Sequence, residues 1–276
     1  MSDAQKSALC VVGLGFEKQW ISILENGQEK TWLAGVRPAN IEVMHVHGRP
    51  LTKFEKKIDS IHEYLRWNSK TSWMLMILLD LILLSALRWW IPKIENSKRL
   101  ILRDPVAQVC IPDYFMTVRW KELSYFKYFL LKSDADFLVT TTNSSYLNLQ
   151  AISKKLQELD VGRTYYGPQP YAGAKFVSGS FRIFSRDVVA AIVSNRIKWR
   201  IWELEDVAIG RLLLKIGVLP TFTELNSFDL PEKIEALSEK FVRSQLHFRL
   251  KSGTAANRQD APLMKLLHSK FSVVTE

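Results

Sequence analysis

The sequence predicts an α/β domain in which a mostly parallel, Rossmann-like sheet is flanked by helices. Short apolar runs rich in Val, Ile and Phe alternate along the chain with segments whose apolar residues recur at helical spacing, and this alternation is typical of parallel sheets. The chain has 276 residues, of which 47% are hydrophobic, so one sizeable core can form. In such sheets, ligands bind beyond the carboxyl ends of the strands.

The strands are predicted where apolar runs are bounded by turn residues. The first run, ALCVVGLG, ends in glycines; the second, IEVMHVHG, alternates between two faces; a later run, AKFVSGSFRIFS, contains a Gly break. The predicted strands are residues 8–15, 41–48, 107–112, 136–141, 174–185 and 218–225.

The helices are predicted from apolar residues three and four positions apart and from end signals. The segments LTKFEKKIDSIHEYLRW and VRWKELSYFKYFLL are expected to be amphipathic, whereas the apolar segment at residues 75–87 is expected to be buried. The predicted helices are residues 51–67, 75–87, 118–131, 147–159, 186–195 and 206–217, followed by a tail that is polar and then helical.

The excess of basic residues limits the classes of binding partner that we expect. Lys and Arg total 38 and Asp and Glu total 28, which gives a formal net charge of +10 and a pI near 9.5. A basic surface attracts anions such as nucleic acid, anionic lipid headgroups or a nucleotide diphosphate. The basic residues are spread along the chain without a long tail, so nucleic acid is not the expected partner.

Two features bear on the compartment. The chain does not start with a basic segment followed by a long apolar one, so no secretory signal is predicted. Cys10 and Cys110 are expected to be two buried thiols in a reducing compartment. The apolar run at residues 73–90 contains Asp80, which would cost roughly 2.5–3.5 kcal/mol in a bilayer, so a helix buried within the protein is favoured over a membrane segment. We expect a cytoplasmic protein whose basic surface can contact the inner face of a membrane.

The stretch LVTTTNSSYLNL, at residues 138–149, is the first candidate for a binding site. An apolar strand end runs into six small polar residues, 140–145, and none of them is charged. Because it follows a predicted strand, this stretch is expected to line the main ligand cleft.

This stretch and its neighbours resemble the β-1,3-galactosyltransferase and Fringe group of glycosyltransferases, whose fold is the nucleotide-sugar-binding GT-A type. In that family a strand ends in a run like FLLKTDDDTFVNL, and FLVTTTNSSYLNL matches its frame here. The three family aspartates fall on Thr142, Asn143 and Ser144. On this resemblance, the single domain comprises a nucleotide-binding part at 1–110, a motif-bearing catalytic part at 111–250 and a helical tail at 251–276.

Further motifs of the family match in order along the chain. The segment IPDYFMTVRWK supplies Asp113 and Lys121, and FVSGSFRIFSRDV resembles a Gly-containing strand before a Ser-capped helix. The segment ELEDVAIGRLL resembles the family's Glu-Asp motif at Glu205 and Asp206, and His247 in QLHFRLKS matches a later histidine. The resemblance covers roughly residues 111–210.

The resemblance implies a reaction in which a sugar moves, with inversion, from a UDP-sugar to a hydroxyl of a glycan or a lipid-linked acceptor. A base must take the acceptor proton, and the charge of the departing diphosphate must be stabilised. Asp206 is the expected base, because a helix N-terminus favours its ionised form. Glu205 is expected to orient a neighbour or to pair with Arg200 or Arg211, and the alternative is that these acids are ordinary members of a first helical turn.

The missing aspartates change what is expected of the metal. The family's carboxylates hold Mn²⁺ or Mg²⁺, and hard cations bind poorly to the neutral groups present here. Either the metal is lost, or the substrate phosphates hold Mn²⁺ or Mg²⁺ almost alone. Our hypothesis is metal-independent catalysis in which Arg249 and Lys251 neutralise the diphosphate, with His247 as the remaining candidate metal ligand. A literal Asp-x-Asp, Asp134 and Asp136, precedes its strand and is expected to lie away from the cleft.

Each residue that is expected to approach the acceptor or the donor sugar also has a purely structural interpretation. Ser178, Gly179 and Ser180 lie at a strand break, where glycine often marks the close approach of a ligand, and the alternative is a bulge. Trp202 beside the Glu-Asp motif can stack on a sugar, and core packing is the alternative.

Other candidates lie in the first half of the chain. Asp113 and Lys121 either help to form the donor pocket or make an ordinary salt bridge. Residues 13–16 are expected to touch the uracil of the donor. His45 and His47 can bind a metal, but a satisfied pair of strand residues is the simpler expectation.

Two other functions stay open. One is a protein of the same fold that lost catalysis with the aspartates and only binds a nucleotide sugar or a glycan. The other is a basic nucleic-acid-binding protein, which would show steeply salt-dependent binding.

Overall fold

The computed structural model describes residues 5–15, 18–57, 60, 91–96, 104–113, 117–200, 203–254 and 257–272. The helix predicted at residues 75–87 lies outside these ranges, as does most of the one predicted at 51–67, although residues 53–57 are helical. Among the described residues, none belongs to a helix that is both long and apolar enough to cross a membrane, and the apolar run at 73–90 lies outside them.

The described residues build one large mixed sheet and two small strand pairs, so the predicted α/β class is confirmed. Across the large sheet the strands are β3 (Ile94–Asn96), β4 (Val106–Pro112), β2 (Ile41–Arg49), β1 (Ala8–Gly13), β5 (Phe137–Thr142), β8 (Phe181–Ser185), β7 (Tyr165–Pro168) and β9 (Thr221–Thr223). The small pairs join β6 (Ser145–Leu147) to β10 (His247–Arg249) and β11 (Gly253–Thr254) to β12 (Asn257–Arg258).

The order of the parallel strands creates a switch point. β1 pairs in parallel with β2 on one side and with β5 on the other, and β2 pairs in parallel with β4. The chain therefore builds outward through β2 and β4 and then returns to the far side of β1 as β5. In sheets of this kind the ligand crevice lies outside the carboxyl ends of the strands at the point of reversal, which here is between β1 and β5.

The helices have these bounds: α1 (Lys18–Ile23), a π-helix (Leu24–Gln28), α2 (Val118–Lys132), α3 (Leu149–Glu158), α4 (Arg186–Ser194), a 3₁₀ turn (Arg196–Lys198), α5 (Glu205–Lys215), α6 (Pro231–Glu235), α7 (Glu239–Ser244) and α8 (Asp260–Ser272). The predicted tail helix is present as α8. Four other predicted helices correspond to α2, α3, α4 and α5, each within two residues of the predicted bounds.

The sheet separates two hydrophobic layers because successive side chains of a strand point to opposite faces. Leu9 and Val11 of β1 belong to the layer formed with α2, α4 and α5. Cys10 and Val12 of the same strand belong to the layer formed with the π-helix, α3 and α8. Burial of each such aliphatic side chain contributes roughly 1.5–3 kcal/mol, so both faces of the sheet hold the fold together.

Three sequence predictions differ from the structure. The run at 174–185 forms a strand only from Phe181, because residues 174–180 leave the sheet and the Gly179 amide bonds a side chain of α5 instead. Cys110, expected to be buried, is exposed on β4 beside the edge strand β3, whereas Cys10 is buried as expected. Helix α2 is not amphipathic in its first half: residues 120–126 are all buried, and Lys121 and Glu122 are paired inside the protein.

Candidate functional site

The polar stretch that follows β5 lies at the switch point of the sheet. Gln28, the last residue of the π-helix, is fully buried, and its amide Nε2 donates to the carbonyls of Thr142, Asn143 and Ser145 at 3.1, 3.1 and 3.2 Å. The amide of one buried side chain thus connects the end of β5, the turn at Asn143 and the start of β6. The loop is therefore held in a fixed shape at the end of the strand.

Short polar side chains at this point form a hydroxyl cluster, which we define as Thr141, Thr142, Ser145, Ser180 and His247. The hydroxyls of Thr141 and Ser145 both donate to the carbonyl of Ser180, each at 3.0 Å. The Ser145 hydroxyl also lies 3.3 Å from Oγ1 of Thr142 and 3.1 Å from Nε2 of His247. The cluster joins the ends of β5, β8 and β10 through hydrogen bonds in a buried setting, where such bonds are strong.

His247 is a neutral member of that cluster. β10 pairs antiparallel with β6, and this pairing carries the imidazole to Ser145 and stacks it on the Phe181 ring at 5.2 Å. Burial, and then the charge of Arg249, lowers the pKa of His247 to about 3. The ring is therefore uncharged at neutral pH and acts here as a hydrogen-bonding and stacking group.

Asn143 connects the polar stretch to the segment after β1. Its Oδ1 accepts from the amide of Gly15 at 3.2 Å, and its Nδ2 donates to the carbonyl of Trp20 at 3.2 Å. A Cβ on Gly15 would lie 2.4 Å from the Trp20 ring, so only glycine permits this contact. Residues 13–15 of the expected uracil segment therefore lie beside the polar stretch, and Phe16 lies outside the described residues.

The three positions that match the family's aspartates do not fit a hard cation. Oδ1 of Asn143 is occupied by the Gly15 amide, the Ser144 hydroxyl accepts from Nη2 of Arg258 at 2.7 Å, and Thr142 shares its hydroxyl with Ser145. None of them offers a carboxylate. Mn²⁺ and Mg²⁺ prefer carboxylate oxygens, so this donor set is poorly suited to hold them.

A basic cluster, which we define as Arg249, Lys251 and Arg258, lies beside Ser144. The Leu250 amide between the first two donates to the Ser144 carbonyl at 2.7 Å, which fixes this strand end against the polar stretch. Burial and then the charges of Arg249 and Arg258 lower the pKa of Lys251. Like charges gathered in this way form a site that an anion would stabilise.

Arg258 is the member of the basic cluster that sequence reasoning missed. It forms an ion pair with the fully buried Asp260, and its guanidinium lies 4.9 Å from the centre of the Trp20 ring. No motif surrounds it, and a basic residue in a polar tail gives no sign of its partners. The excess of Lys and Arg was the one available signal.

Asp113 and Lys121 form a buried ion pair that braces three strand ends. Oδ1 of Asp113 lies 2.8 Å from Nζ of Lys121, and the two side chains are 5% and 9% exposed. Lys121 also donates to the carbonyl of Leu14 at 2.7 Å, and the Gly48 amide donates to Asp113 at 3.1 Å. The pair therefore joins the carboxyl ends of β1, β2 and β4 next to the switch point.

The loop before β8 brings the candidate acceptor residues to the candidate base. The hydroxyls of Ser178 and Ser180 lie 3.0 Å apart, and the Gly179 amide donates to Oδ2 of Asp206 at 3.1 Å. A Cβ on Gly179 would lie 3.2 Å from Oε1 of Glu205, so both carboxylates of the motif approach this glycine. The close approach explains why the position lacks a side chain.

Glu205 and Asp206, the carboxylate pair, begin α5. Asp206 accepts from the amides of Gly179 and Val207 at 3.1 and 2.8 Å. Glu205 is half-buried by area, but protein surrounds its carboxyl group; this burial, and then the negative charges of Asp206 and Glu122, raise its pKa to about 7. A carboxyl group that titrates near neutral pH suits general acid–base work.

A buried ion pair lies beneath the carboxylate pair. Arg182 of β8 binds Glu122 of α2, and both side chains are at most 5% exposed. Tyr125 donates to Glu122 at 3.0 Å, and Nε of Arg182 donates to Thr140 at 3.1 Å. Sequence reasoning missed this pair, although an arginine inside the apolar run FRIF and a glutamate among aromatic residues in WKELSYF were visible signals.

The expected partners of Glu205 are wrong. Arg200 and Arg211 both bind Oε1 of Glu203, each at 3.2 Å, rather than Glu205. Glu203 precedes the helix and faces these half-exposed arginines, whereas the first turn of α5 directs Glu205 inward toward the charges of Arg182 and Glu122.

Three further predictions concern Asp136, Trp202 and the two histidines of β2. Asp136 lies at the amino end of β5, as expected, where it accepts from the amide of Ser7 at 2.8 Å. Trp202 lies outside the described residues, and the neighbouring Trp199 is a buried core residue. The satisfied pair expected of the strand histidines is wrong for His45, because His47 contacts the Gly48 carbonyl but neither ring nitrogen of His45 has a hydrogen-bond partner among the described residues.

Comparison with protein-family models gives no match, and comparison with curated proteins gives none either.

Proposed function

We propose that this protein is an inverting glycosyltransferase that moves a sugar from a UDP-sugar to a hydroxyl of a glycan or a lipid-linked acceptor. The observation that carries the proposal is the convergence of four separate segments of the chain. The polar stretch, the loop at 178–180, the carboxylate pair and His247 are connected by hydrogen bonds at the switch point of the sheet. These are the segments on which the family resemblance rests.

The carboxylate pair supports two roles, removal of the acceptor proton and orientation of the group that removes it. Glu205 titrates near neutral pH because it is buried beside Asp206, and two carboxylates that interact closely titrate as a unit. One carboxylate of the pair, in its ionised form, takes the proton of the acceptor hydroxyl as the glycosidic bond forms. The other carboxylate keeps the first in the right orientation through the Gly179 loop. We therefore assign the base to the pair, with Asp206 hydrogen-bonded to the loop and Glu205 as the member with the shifted pKa.

The basic cluster supports a metal-independent departure of the diphosphate. Arg249 and Lys251 lie beside Ser144, and their mutual repulsion is relieved when a phosphate binds between them. Charge-assisted hydrogen bonds from these groups stabilise the negative charge that develops on the leaving oxygen. A lipid-linked acceptor would bring the basic surface to the cytoplasmic face of a membrane, and this place of action is part of the proposal.

The proposal is tested first by isothermal titration of the full chain with UDP, once with Mn²⁺ and once with EDTA. We expect binding under both conditions. Arg249→Gln and Lys251→Gln should each weaken UDP binding about 10–100-fold, because each removes a charge-assisted bond. Lys265→Gln, at an exposed position of α8, is the matched control and should bind like wild type. No UDP binding in either buffer would end the proposal.

Turnover separates an enzyme from the second candidate, a nucleotide-sugar-binding protein without catalysis. That candidate is favoured by the neutral side chains of Thr142, Asn143 and Ser144, which stand where the family that the chain resembles has its aspartates. UDP release from UDP-glucose, UDP-galactose and UDP-N-acetylglucosamine is the assay. Glu205→Gln and Asp206→Asn should keep UDP binding and lower the rate about 10²–10⁴-fold. UDP binding without any release would favour the binding protein.

A further inference from the structure

A second cluster of polar side chains lies on the other face of the sheet from the carboxylate pair. His45 projects from β2 into the layer formed with the π-helix, since it shares strand parity with Val43. Asp104 directly precedes Pro105, whose carbonyl accepts from the His45 amide at 2.9 Å, and Glu29 caps the π-helix. The ligand atoms of Glu29, His45 and Asp104 all lie within 4.8 Å of one another. We call these three residues the histidine pocket.

The histidine pocket contains polar atoms whose bonding is incomplete. His45 is fully buried, and among the described residues neither Nδ1 nor Nε2 of its ring has a hydrogen-bond partner. Asp104 is also buried; Arg37 binds its Oδ1, while its Oδ2 has no partner among the same residues. An unpaired buried polar group costs free energy, and native proteins rarely leave several together.

The chemistry of the pocket suits a transition-metal dication. Neither ring nitrogen of the buried His45 imidazole has a hydrogen-bond partner among the described residues, so a nitrogen lone pair can bind a cation. The carboxylates of Glu29 and Asp104 each place an oxygen within 4.8 Å of that ring, and Arg37 binds one oxygen of Asp104. One imidazole nitrogen with two carboxylate oxygens matches the ligands of Zn²⁺, whereas Mg²⁺ and Ca²⁺ prefer oxygen alone.

We propose that Glu29, His45 and Asp104 bind one Zn²⁺ ion. Ligand atoms of a tetrahedral zinc site lie about 3.3 Å apart, so the three side chains, now within 4.8 Å of one another, would move closer together when the ion binds. The ion would connect the π-helix, β2 and the segment before β4. Because Gln28 of that π-helix holds the polar stretch after β5, zinc would also stiffen the support of the switch point.

The test begins with the wild-type full chain. Protein stripped with EDTA is dialysed and titrated with Zn²⁺ against a competing chelator, and its melting temperature is measured with and without Zn²⁺. We expect one ion per chain and, at about a hundredfold excess over Kd, a rise of roughly 5–10 °C in Tm. Mg²⁺ at the same concentration should leave Tm unchanged.

Three variants locate the ion. Glu29→Gln removes a half-buried carboxylate at little risk to folding and should weaken Zn²⁺ binding at least tenfold. His45→Leu should abolish the stoichiometric site, and His268→Leu, at a half-buried histidine of α8, is the matched control that should bind like wild type. Absence of stoichiometric Zn²⁺ on wild-type protein, or binding that survives both pocket variants, would overturn the proposal. Neither result bears on UDP binding, so this test is independent of the proposed transferase activity.

Discussion

Two buried histidines of this protein have opposite surroundings. His247, in the hydroxyl cluster, lies 3.1 Å from the Ser145 hydroxyl and stacks on Phe181. His45, in the histidine pocket, has no hydrogen-bond partner among the described residues and faces the carboxylates of Glu29 and Asp104. Both rings have a lowered pKa because both are buried.

The difference shows what a buried polar side chain contributes in each place. In the hydroxyl cluster the ring completes a hydrogen-bond network, so its removal should weaken the fold. In the histidine pocket the ring has no hydrogen-bond partner among the described residues, so its removal should cost the fold little and should cost the proposed zinc ion a ligand. Partners, rather than burial, decide which of the two roles a histidine has.

The largest effect is expected at the buried ion pair of Arg182 and Glu122, which lies beneath the carboxylate pair. Arg182→Met leaves the carboxylate of Glu122 buried without its counter-ion, which should lower the free energy of unfolding by about 3–5 kcal/mol. Urea denaturation followed by circular dichroism measures the change. The double variant that adds Glu122→Met should recover most of the loss, since no charge then remains. A single variant as stable as wild type would contradict the view that this region depends on pairing.

The histidine comparison is tested directly in EDTA at pH 7.5. His247→Leu should lower the free energy of unfolding by about 1–3 kcal/mol, because Ser145 loses a partner. His45→Leu should be neutral or stabilising, because it replaces an unpaired polar ring with an apolar side chain of similar size. Equal losses in the two variants would show that the two sites do not differ as described.

The pH dependence sharpens the same comparison. A buried histidine whose folded pKa lies below 6.5 stabilises the fold above pH 6.5, and this contribution is lost as the pH falls, because the unfolded chain binds the proton more readily. Between pH 7.5 and 5, each of His45 and His247 should account for about 2 kcal/mol of the loss. Glu205 acts in the opposite direction, since its raised pKa favours the folded state as the pH falls.

The contribution of each histidine is therefore measured as a difference between wild type and variant. Urea unfolding of wild type, His45→Leu and His247→Leu is compared at both pH values in EDTA, and the Glu205 contribution cancels. Each variant should show a pH-dependent loss about 2 kcal/mol smaller than that of wild type. An unchanged loss in either variant would mean that this histidine is not held neutral.

The smallest effect is expected at Ser144, where the polar stretch contacts the basic cluster. Ser144→Ala removes the hydroxyl that accepts from Arg258 at 2.7 Å, while the ion pair with Asp260 remains. We expect a loss of about 0.5–1.5 kcal/mol in the free energy of unfolding. Ser269→Ala, at an exposed position of α8, serves as the control and should lie within about 0.5 kcal/mol of wild type.

Local signals in the sequence carried most of the fold. Alternation and apolar runs predicted β1, β2, β4 and β5 nearly to the residue, and helical spacing predicted α2 and α4. The strand β7 was missed because Gly167 and Pro168 resemble a turn, and its strand state comes from pairing with β8 and β9. Tertiary pairing thus overrode local propensity at that edge of the sheet.

The sequence by itself determined where short polar residues follow a strand and which carboxylates begin α5. Only the tertiary structure decided that Glu203 rather than Glu205 binds the arginines, that Arg258 reaches Ser144 across 114 positions of the chain, and that His45 faces two carboxylates. The reason is physical: periodicity and end signals act within a few residues, whereas the partners of a buried polar atom are supplied by distant segments that meet only when the chain folds.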